Sequence, residues 1–285
     1  MSALYNDTVT GNWLAQLILS GLIMRGYVYT DSIADLRGAD LAGFTRVHLF
    51  AGVGGWDLAL QLAGWPDDLP VWTGSCPCQP FSAEGKKRGT DDDRHLWPEM
   101  RRLIAECRPP IVFGEQVASP AGREWLAGVR ADLEELGYSV GAADLCAAGV
   151  GAPHIRQRLY WGAVGMVDSE RSGLERLARH VGHRHEPGRI DSNEAGSTPA
   201  SGVPSAWSDA RIIQLRDGSL RRAQPGIQPL VDGIPAGLVP NSPEGMARYV
   251  NATAQASRQR LKGYGNAIVP QLAAAFVRAF ALAAV

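Results

Sequence analysis

Cysteines 76 and 78 stand one residue apart in the run Cys76-Pro77-Cys78-Gln79-Pro80, in a chain of 285 residues with two other cysteines. Three chemistries suit so close a pair: a metal clip, a disulfide, or the seat of a nucleophile. Structural zinc sites space paired cysteines by about two to four residues and need a second ligand pair. Cys107 and Cys146 stand alone, so no metal site is expected. The opening MSALYNDTVTGNW lacks the basic-then-apolar order of an export signal. A cytoplasmic chain with reduced thiols is the expectation, which disfavours the disulfide. Two small buried hydrophobes and a thiolate held in place by stiff proline backbone both remain open from these residues alone.

Other chemistry-bearing residues follow. Glu115 is bounded by Ile111-Val112-Phe113 and Val117, a setting in which a surface ion-paired glutamate is not expected. Arg156 and Arg158 are two apart on an extended stretch and so share one face. Gly52, Gly54 and Gly55 of FAGVGG let backbone approach a ligand closely, although the string is not the full dinucleotide fingerprint.

These residues need elements to carry them. Val47 to Phe50 is β-rich and runs through the glycine turn into an apolar-periodic helix, half of a nucleotide-binding βαβ unit. LPVWTGSCPCQP is a second short strand leading into a loop. LWPEMRRLIAECRPP is a helix stopped by Pro109, followed by the strand IVFGEQV. GREWLAGVRADLEELGY is a helix closed by Gly137, and YSVGAADL and RLYWGAVGMV are further strands. This alternation predicts a mainly parallel α/β sheet. After Val167 the texture turns irregular, and Asp217-Gly218 marks a hairpin between two strand-like runs. The chain closes on an apolar helix from Asn266. With 45% hydrophobic and 20% charged residues, a net charge of −1 and no apolar run of membrane-spanning length, the composition is that of an ordinary globular protein with no membrane partner.

FAGVGG, PCQPFS, GEQV, GAPHIRQRLYW and YGNAIVP, in that order, resemble the ordered motifs of the DNA (cytosine-5) methyltransferases, bacterial or phage type, over about Val47 to Pro270. The resemblance implies an α/β class I S-adenosylmethionine-dependent methyltransferase sheet, Rossmann-like, with a small irregular target-recognition module. It divides the chain into a catalytic domain at 1–166, a recognition module at 167–249 and a returning segment at 250–285. Cys78 would be the nucleophile that attacks C6 of cytosine, a step that makes C5 reactive enough to take a methyl group. Cys76 would be a packing residue of the loop. Glu115 would hold cytosine N3, with Gln116 in place of the commoner asparagine. Arg158 would meet cytosine O2, and Arg156 the backbone or loop closure. His154 replaces a glutamine of the motif. S-adenosylmethionine would lie on Phe50, Gly52, Gly54 and Gly55, with Asn266 closing its methionine end, a position that also suits a helix N-cap.

One departure matters. Only 28 positions separate Phe50 from Cys78, where members of that family fit two further βα units that bind the cofactor's ribose and adenine. Both pieces have counterparts upstream. ALYNDTVTGNWLAQLI resembles the ribose-binding unit with Asp7 as its acid, and YVYTDSIADLRGADLAGF resembles the adenine unit with Asp31 to Ile33. A rearranged order at 1–46 is the expectation, against a plain N-terminal extension.

On the DNA side, the stretch from Arg171 to Arg222 holds nine arginines against six acids, opposite in sign to the rest of the chain. Its hairpin supplies Arg211, Arg216, Arg221 and Arg222 as candidates for contact with double-stranded DNA. The histidines from His180 to His185 are read as surface residues, since no ligand pattern accompanies them. Ser82 to His95 is expected to close over a cytosine flipped from the duplex, with Gln79, Ser82, Lys86 and Lys87 touching the strand. The expected state is a monomer. Competing readings are an RNA cytosine-5 methyltransferase and a catalytically silent DNA-binding relative. The second cysteine motif expected of the former is missing at Cys146, and intact Cys78, Glu115 and Arg158 weigh against the latter. A Rossmann oxidoreductase stands third, because the glycine spacing is wrong for it.

Overall fold

The computed structural model describes residues 1–77, 96–152, 155–165, 175, 178–179, 211–214, 220–223 and 267–283, the hairpin residues 211–214 and 220–223 by backbone alone. The chain opens with β1 (Ala3–Asn6), α1 (Gly11–Leu19) and β2 (Gly26–Tyr29). Two short 3-10 turns, Ile33–Asp35 and Gly38–Leu41, lead to β3 (Arg46–Leu49), α2 (Gly55–Ala63) and β4 (Val71–Gly74). Then come α3 (Trp97–Cys107), β5 (Ile111–Val117), α4 (Pro120–Glu135), β6 (Tyr138–Cys146) and β7 (Gln157–Gly165). The hairpin strands β8 (Arg211–Gln214) and β9 (Leu220–Ala223) and the terminal helix α5 (Pro270–Ala283) complete the described elements.

Seven strands form one sheet in the order β2-β1-β3-β4-β5-β7-β6. Neighbours from β2 through β5 pair in parallel, and β7 runs antiparallel to both β5 and β6. The two N-terminal strands therefore extend the sheet outward from β3. Ala3 pairs with Gly26 on one side and Arg46 on the other. That closeness explains Gly26, where a Cβ would stand 1.9 Å from the Ala3 carbonyl oxygen.

Strands covered on both faces lose the alternation of an exposed sheet and become continuous apolar runs, as in IVF of β5. Ile111 and Phe113 pack into one core with Trp56, Leu60 and the α5 residues Phe276 and Val277. Val112 packs into the other, with Met100, Leu103, Ile104 and Val129 from α3 and α4. Helices thus cover both faces, and α1 closes a third, smaller cluster over Ala3 and Tyr5 through Leu14.

The expected boundaries shift at two points. β3 ends at Leu49 rather than Phe50, because Phe50 takes a left-handed conformation with φ 54° that no strand can continue. α3 ends at Cys107 because Arg108, φ 49°, turns the chain one residue before Pro109. The strand-like runs flanking Asp217-Gly218 do pair antiparallel, with Arg211 opposite Ala223.

Beneath the glycine turn lies a buried charge cluster. Arg46 and Asp57 are both shut off from solvent. An arginine so placed needs several acceptors to offset its lost hydration. Its Nη1 donates to Asp57 Oδ1 at 2.8 Å, and its Nη2 to Asp67 Oδ1 at 2.7 Å. The other Asp57 oxygen accepts from the Met24 amide at 2.8 Å and the Gln61 side chain at 2.7 Å. His48 donates or accepts at Thr73 Oγ1 through Nδ1. Its Nε2 lies 3.4 Å from Asp57 Oδ1, off the line of a hydrogen bond.

Candidate active site

In a parallel sheet the carboxyl ends of neighbouring strands open on one edge, where loops can hold a ligand. Asp7 follows β1, Asp31 follows β2, Phe50 and the glycine turn follow β3, and Ser75, Cys76 and Pro77 follow β4. The described candidates therefore gather along a single edge. Cys78, Gln79, Ser82, Lys86, Lys87, Arg216, Asn266 and the expected closing loop lie outside the described residues. Arg211, Arg221 and Arg222 sit on the paired hairpin strands.

The glycine turn is shaped by backbone demands. Gly52 has φ 55° and Gly54 φ 75°, conformations costly for residues with a Cβ. At Gly55 the reason is proximity, since a Cβ would come within 2.8 Å of Ile268 Cγ1, just before α5. Phe50 is half-buried and holds its own left-handed φ without glycine's freedom. Such conformations persist where surroundings over-determine them. Here the Ala51 amide donates to the Asn6 carbonyl at 2.8 Å, and the Thr10 hydroxyl donates to the Gly52 carbonyl.

Asp7 joins the N-terminal unit to that turn. Its Oδ1 accepts from the Val9 and Thr10 amides at 2.9 and 2.8 Å, and its Oδ2 from the Gly52 amide at 3.0 Å. A carboxylate offers about four lone-pair sites, so three are already occupied. Asp31 is exposed, and its carbonyl and that of Tyr29 accept from the Asn6 side-chain amide at 3.0 and 3.3 Å. Ile33, by contrast, is buried in the core with Leu4, Leu36 and Leu49. Within the expected adenine-reading stretch, Asp31 faces solvent and Ile33 anchors it.

On β5, Glu115 is 8% exposed. Its Oε1 lies 2.8 Å from Arg158 Nε on β7, an ion pair in which no donor is aligned on that oxygen. Burial pushes the Glu115 carboxyl above the ordinary glutamate value, and the charges of Arg158 and Arg156 pull it back only in part. Arg158 also donates through Nη1 to the Gln157 carbonyl. Arg156 is half-buried and donates to the Ala267 carbonyl at 2.7 Å, fastening the start of β7 to the segment before α5. Gln116 is buried and folds its Oε1 onto the Val117 amide at 2.9 Å.

Cys76 separates itself from a chemical role. It is buried against Met100, with 3.8 Å between the sulfurs, and burial pushes its thiol well up. A thiol kept neutral is a poor nucleophile. Residue spacing gives no sign of several other residues at this edge. Asn6, Thr10, Trp56 and Ser75 brace its loops, and only the nearness of Trp56 to the glycines was a clue.

Five parallel strands, a terminal antiparallel pair with β7 inserted between β5 and β6, and helices on both faces make a mainly parallel, Rossmann-like α/β sheet. Residues 64–167, which include β4, β5 and β7, match the family model of the C-5 cytosine-specific DNA methylase. The type II methyltransferase M.HhaI of Haemophilus parahaemolyticus is 29% identical over 165 residues, covering 44% of this chain and 50% of that relative. M.AluI of Cellulosimicrobium cellulans is 31% identical over 157 residues, covering 51% of this chain and 29% of its own. M1.ScrFI of Lactococcus lactis subsp. cremoris is 39% identical over 98 residues, covering 33% and 25% respectively. The chain spans half or less of the length of these curated relatives.

Proposed function

We propose that this protein transfers a methyl group from S-adenosylmethionine to C5 of a cytosine flipped out of double-stranded DNA. The observation that carries the reading is the buried Glu115 carboxyl, biased toward its protonated form and set beside Arg158 at the carboxyl edge of the sheet. A protonated carboxyl can donate to cytosine N3, where an ionised one cannot. Donation there draws electrons from the ring and makes C6 electrophilic. The Cys78 thiolate adds to C6, and the C5–C6 π pair becomes an enamine whose C5 is nucleophilic. S-adenosylmethionine supplies an electrophilic methyl carbon on a sulfonium. C5 takes the methyl as its bond to sulfur breaks and S-adenosylhomocysteine leaves. The C5 proton then passes to water and the thiolate is eliminated from C6, which restores the aromatic ring. Arg158 holds O2 and balances charge as Glu115 exchanges its proton.

The cofactor is assigned to the edge formed by Phe50, Gly52, Gly54 and Gly55, with residues 1–46 supplying the two units that the short stretch before Cys78 omits. What supports the rearranged order is the parallel pairing of β1 with β3 and of β2 with β1, with Asp7 bonded to the Gly52 amide and Asp31 one strand further out on the same edge. Asn266 is assigned to the methionine end. The hairpin arginines and Gln79, Ser82, Lys86 and Lys87 are assigned to DNA, with the protein acting as a cytoplasmic monomer.

The test is incubation with methyl-labelled cofactor and duplex DNA of mixed sequence, followed by bisulfite sequencing. Protected cytosines at one sequence context are expected, and Cys78→Ala should abolish them while retaining DNA binding. Label appearing on adenine, or none at all with folded protein and bound cofactor, refutes the reading.

A further inference from the structure

We propose that Trp56 is a positioning residue that registers the cofactor turn, the nucleophile-bearing segment and the Glu115–Arg158 pair against one another, through a hydrogen bond to Ser75. This inference rests on the function proposed above. Trp56 stands in the first turn of α2, directly after the glycines, and is 2% exposed. Its indole N–H donates to Ser75 Oγ at 3.0 Å. Ser75 is the first residue beyond β4 and lies three positions ahead of Cys78 in the sequence.

The ring itself touches the two remaining site strands. It stacks on Phe113 of β5, with centroids 6.1 Å apart and planes 14° from parallel. It also meets the edge of Tyr160 of β7 at 6.1 Å and 76°. Phe113 is two residues before Glu115 and Tyr160 two after Arg158, so each shares a strand face with its site neighbour. Glu115 and Tyr160 are also direct partners in the ladder. One side chain, directly after the glycine turn, thus bears on the loop after β4, on β5 and on β7.

Packing alone would be met by any large ring. The hydrogen bond would not, and it is the sole described side-chain link between α2 and the loop after β4. A buried indole N–H normally finds an acceptor, and here that acceptor is on the segment whose placement matters most. Displacing a reacting group by about 1 Å costs up to about a hundredfold in rate.

The test compares Trp56→Phe, Ser75→Ala, Ser75→Thr and the Trp56→Phe/Ser75→Ala pair with the parent protein in single-turnover methyl transfer. Trp56→Phe and Ser75→Ala should each slow transfer about tenfold while the KM for S-adenosylmethionine stays within about twofold. The double variant should be no slower than either single one, since both remove the same bond. Ser75→Thr keeps the hydroxyl and should restore most of the rate. Parent-like transfer in Ser75→Ala, or losses that multiply in the double variant, overturn the proposal. If Trp56→Phe does not fold, the Ala and Thr variants at Ser75 decide the matter alone. An inactive parent protein removes the proposed function and this inference together, whereas an active parent with unaffected variants removes only this one.

Discussion

Arg46 and Asp57 form an ion pair at 2.8 Å with both side chains closed to water, and Asp57 also holds the Met24 amide 33 positions away. The pair thereby ties the N-terminal unit to the helix that follows the glycine turn. Burial alone would push the Asp57 carboxyl up. The His48, Met24 and Arg46 contacts outweigh it and hold the group well below the usual carboxylate range. Asp57→Asn leaves Arg46 with Asp67 as its remaining carboxylate, and Asp67 is largely exposed. The expected loss is about 3–5 kcal/mol at pH 7, read from urea unfolding. The sign with pH follows from the depressed value. Stability from Asp57 is present above the ordinary aspartate pKa and is lost as pH falls through the folded one. The gap between parent and variant should therefore narrow in acid, and a constant gap would refute the linkage.

Glu115 titrates with the opposite sign. Burial raises its pKa, so folding takes up a proton between the unfolded value and the folded one. Stability from this group is greatest in acid and declines as pH climbs through that window, then levels off. Glu115→Gln removes the titration. The variant should gain on the parent as pH rises above the ordinary glutamate range, by thermal unfolding across a pH series. Methyl transfer by the same variant should fall about 10²- to 10⁴-fold, because the amide cannot deliver a proton to N3.

Gly114 shows how tightly the strand beneath that carboxylate is filled. A Cβ there would lie 2.3 Å from Cε2 and Cζ2 of Trp161, which is fully buried. Gly114→Ala should cost about 1–3 kcal/mol through overpacking and should slow transfer by shifting Glu115. Gly128 is the control, an exposed glycine within α4 whose added Cβ meets nothing within 4 Å. Gly128→Ala should stabilise by up to about 1 kcal/mol, the difference in helix propensity. Matched melting temperatures for the two variants would contradict both arguments.

Local patterns carried much of this in the sequence. The glycine turn is legible because strand, glycines and apolar helix follow one another within Val47 to Ala63. β5 is legible because a strand covered on both faces is an unbroken apolar run, and Glu115 stands out against it. The strand at 3–6 is legible through the likeness of its stretch to a ribose-binding unit, a strand ending in an acid and followed by a helix. Contacts that join distant segments were not. Trp56 and Ser75 are 19 positions apart, and Asp57 and Met24 are 33, so neither pairing leaves a periodic trace. A positive φ at a phenylalanine contradicts its intrinsic preference, so the β-rich run to Phe50 overshoots the end of β3 by one residue. Ile33 is expected at the adenine only through the likeness of its stretch to the adenine unit, yet a 3-10 turn directs it into the core.

Asp7 makes the last and most discriminating case, because bracing the glycine turn and the proposed ribose contact are separable. It already accepts three backbone amides, one of them from Gly52. Losing those bonds in Asp7→Ala should destabilise the protein by about 1–2 kcal/mol whether or not a cofactor is present. The proposed ribose contact adds a second loss that appears only on binding. A cofactor analogue lacking the 2′-hydroxyl separates the two. Against the parent, the analogue should bind about 10-fold more weakly than S-adenosylmethionine if Asp7 accepts from that hydroxyl. Against Asp7→Ala the two ligands should bind alike, since the acceptor is gone. If calorimetric titration finds the same penalty for the analogue on both proteins, Asp7 is a brace of the glycine turn alone, and the ribose is held from elsewhere on the edge.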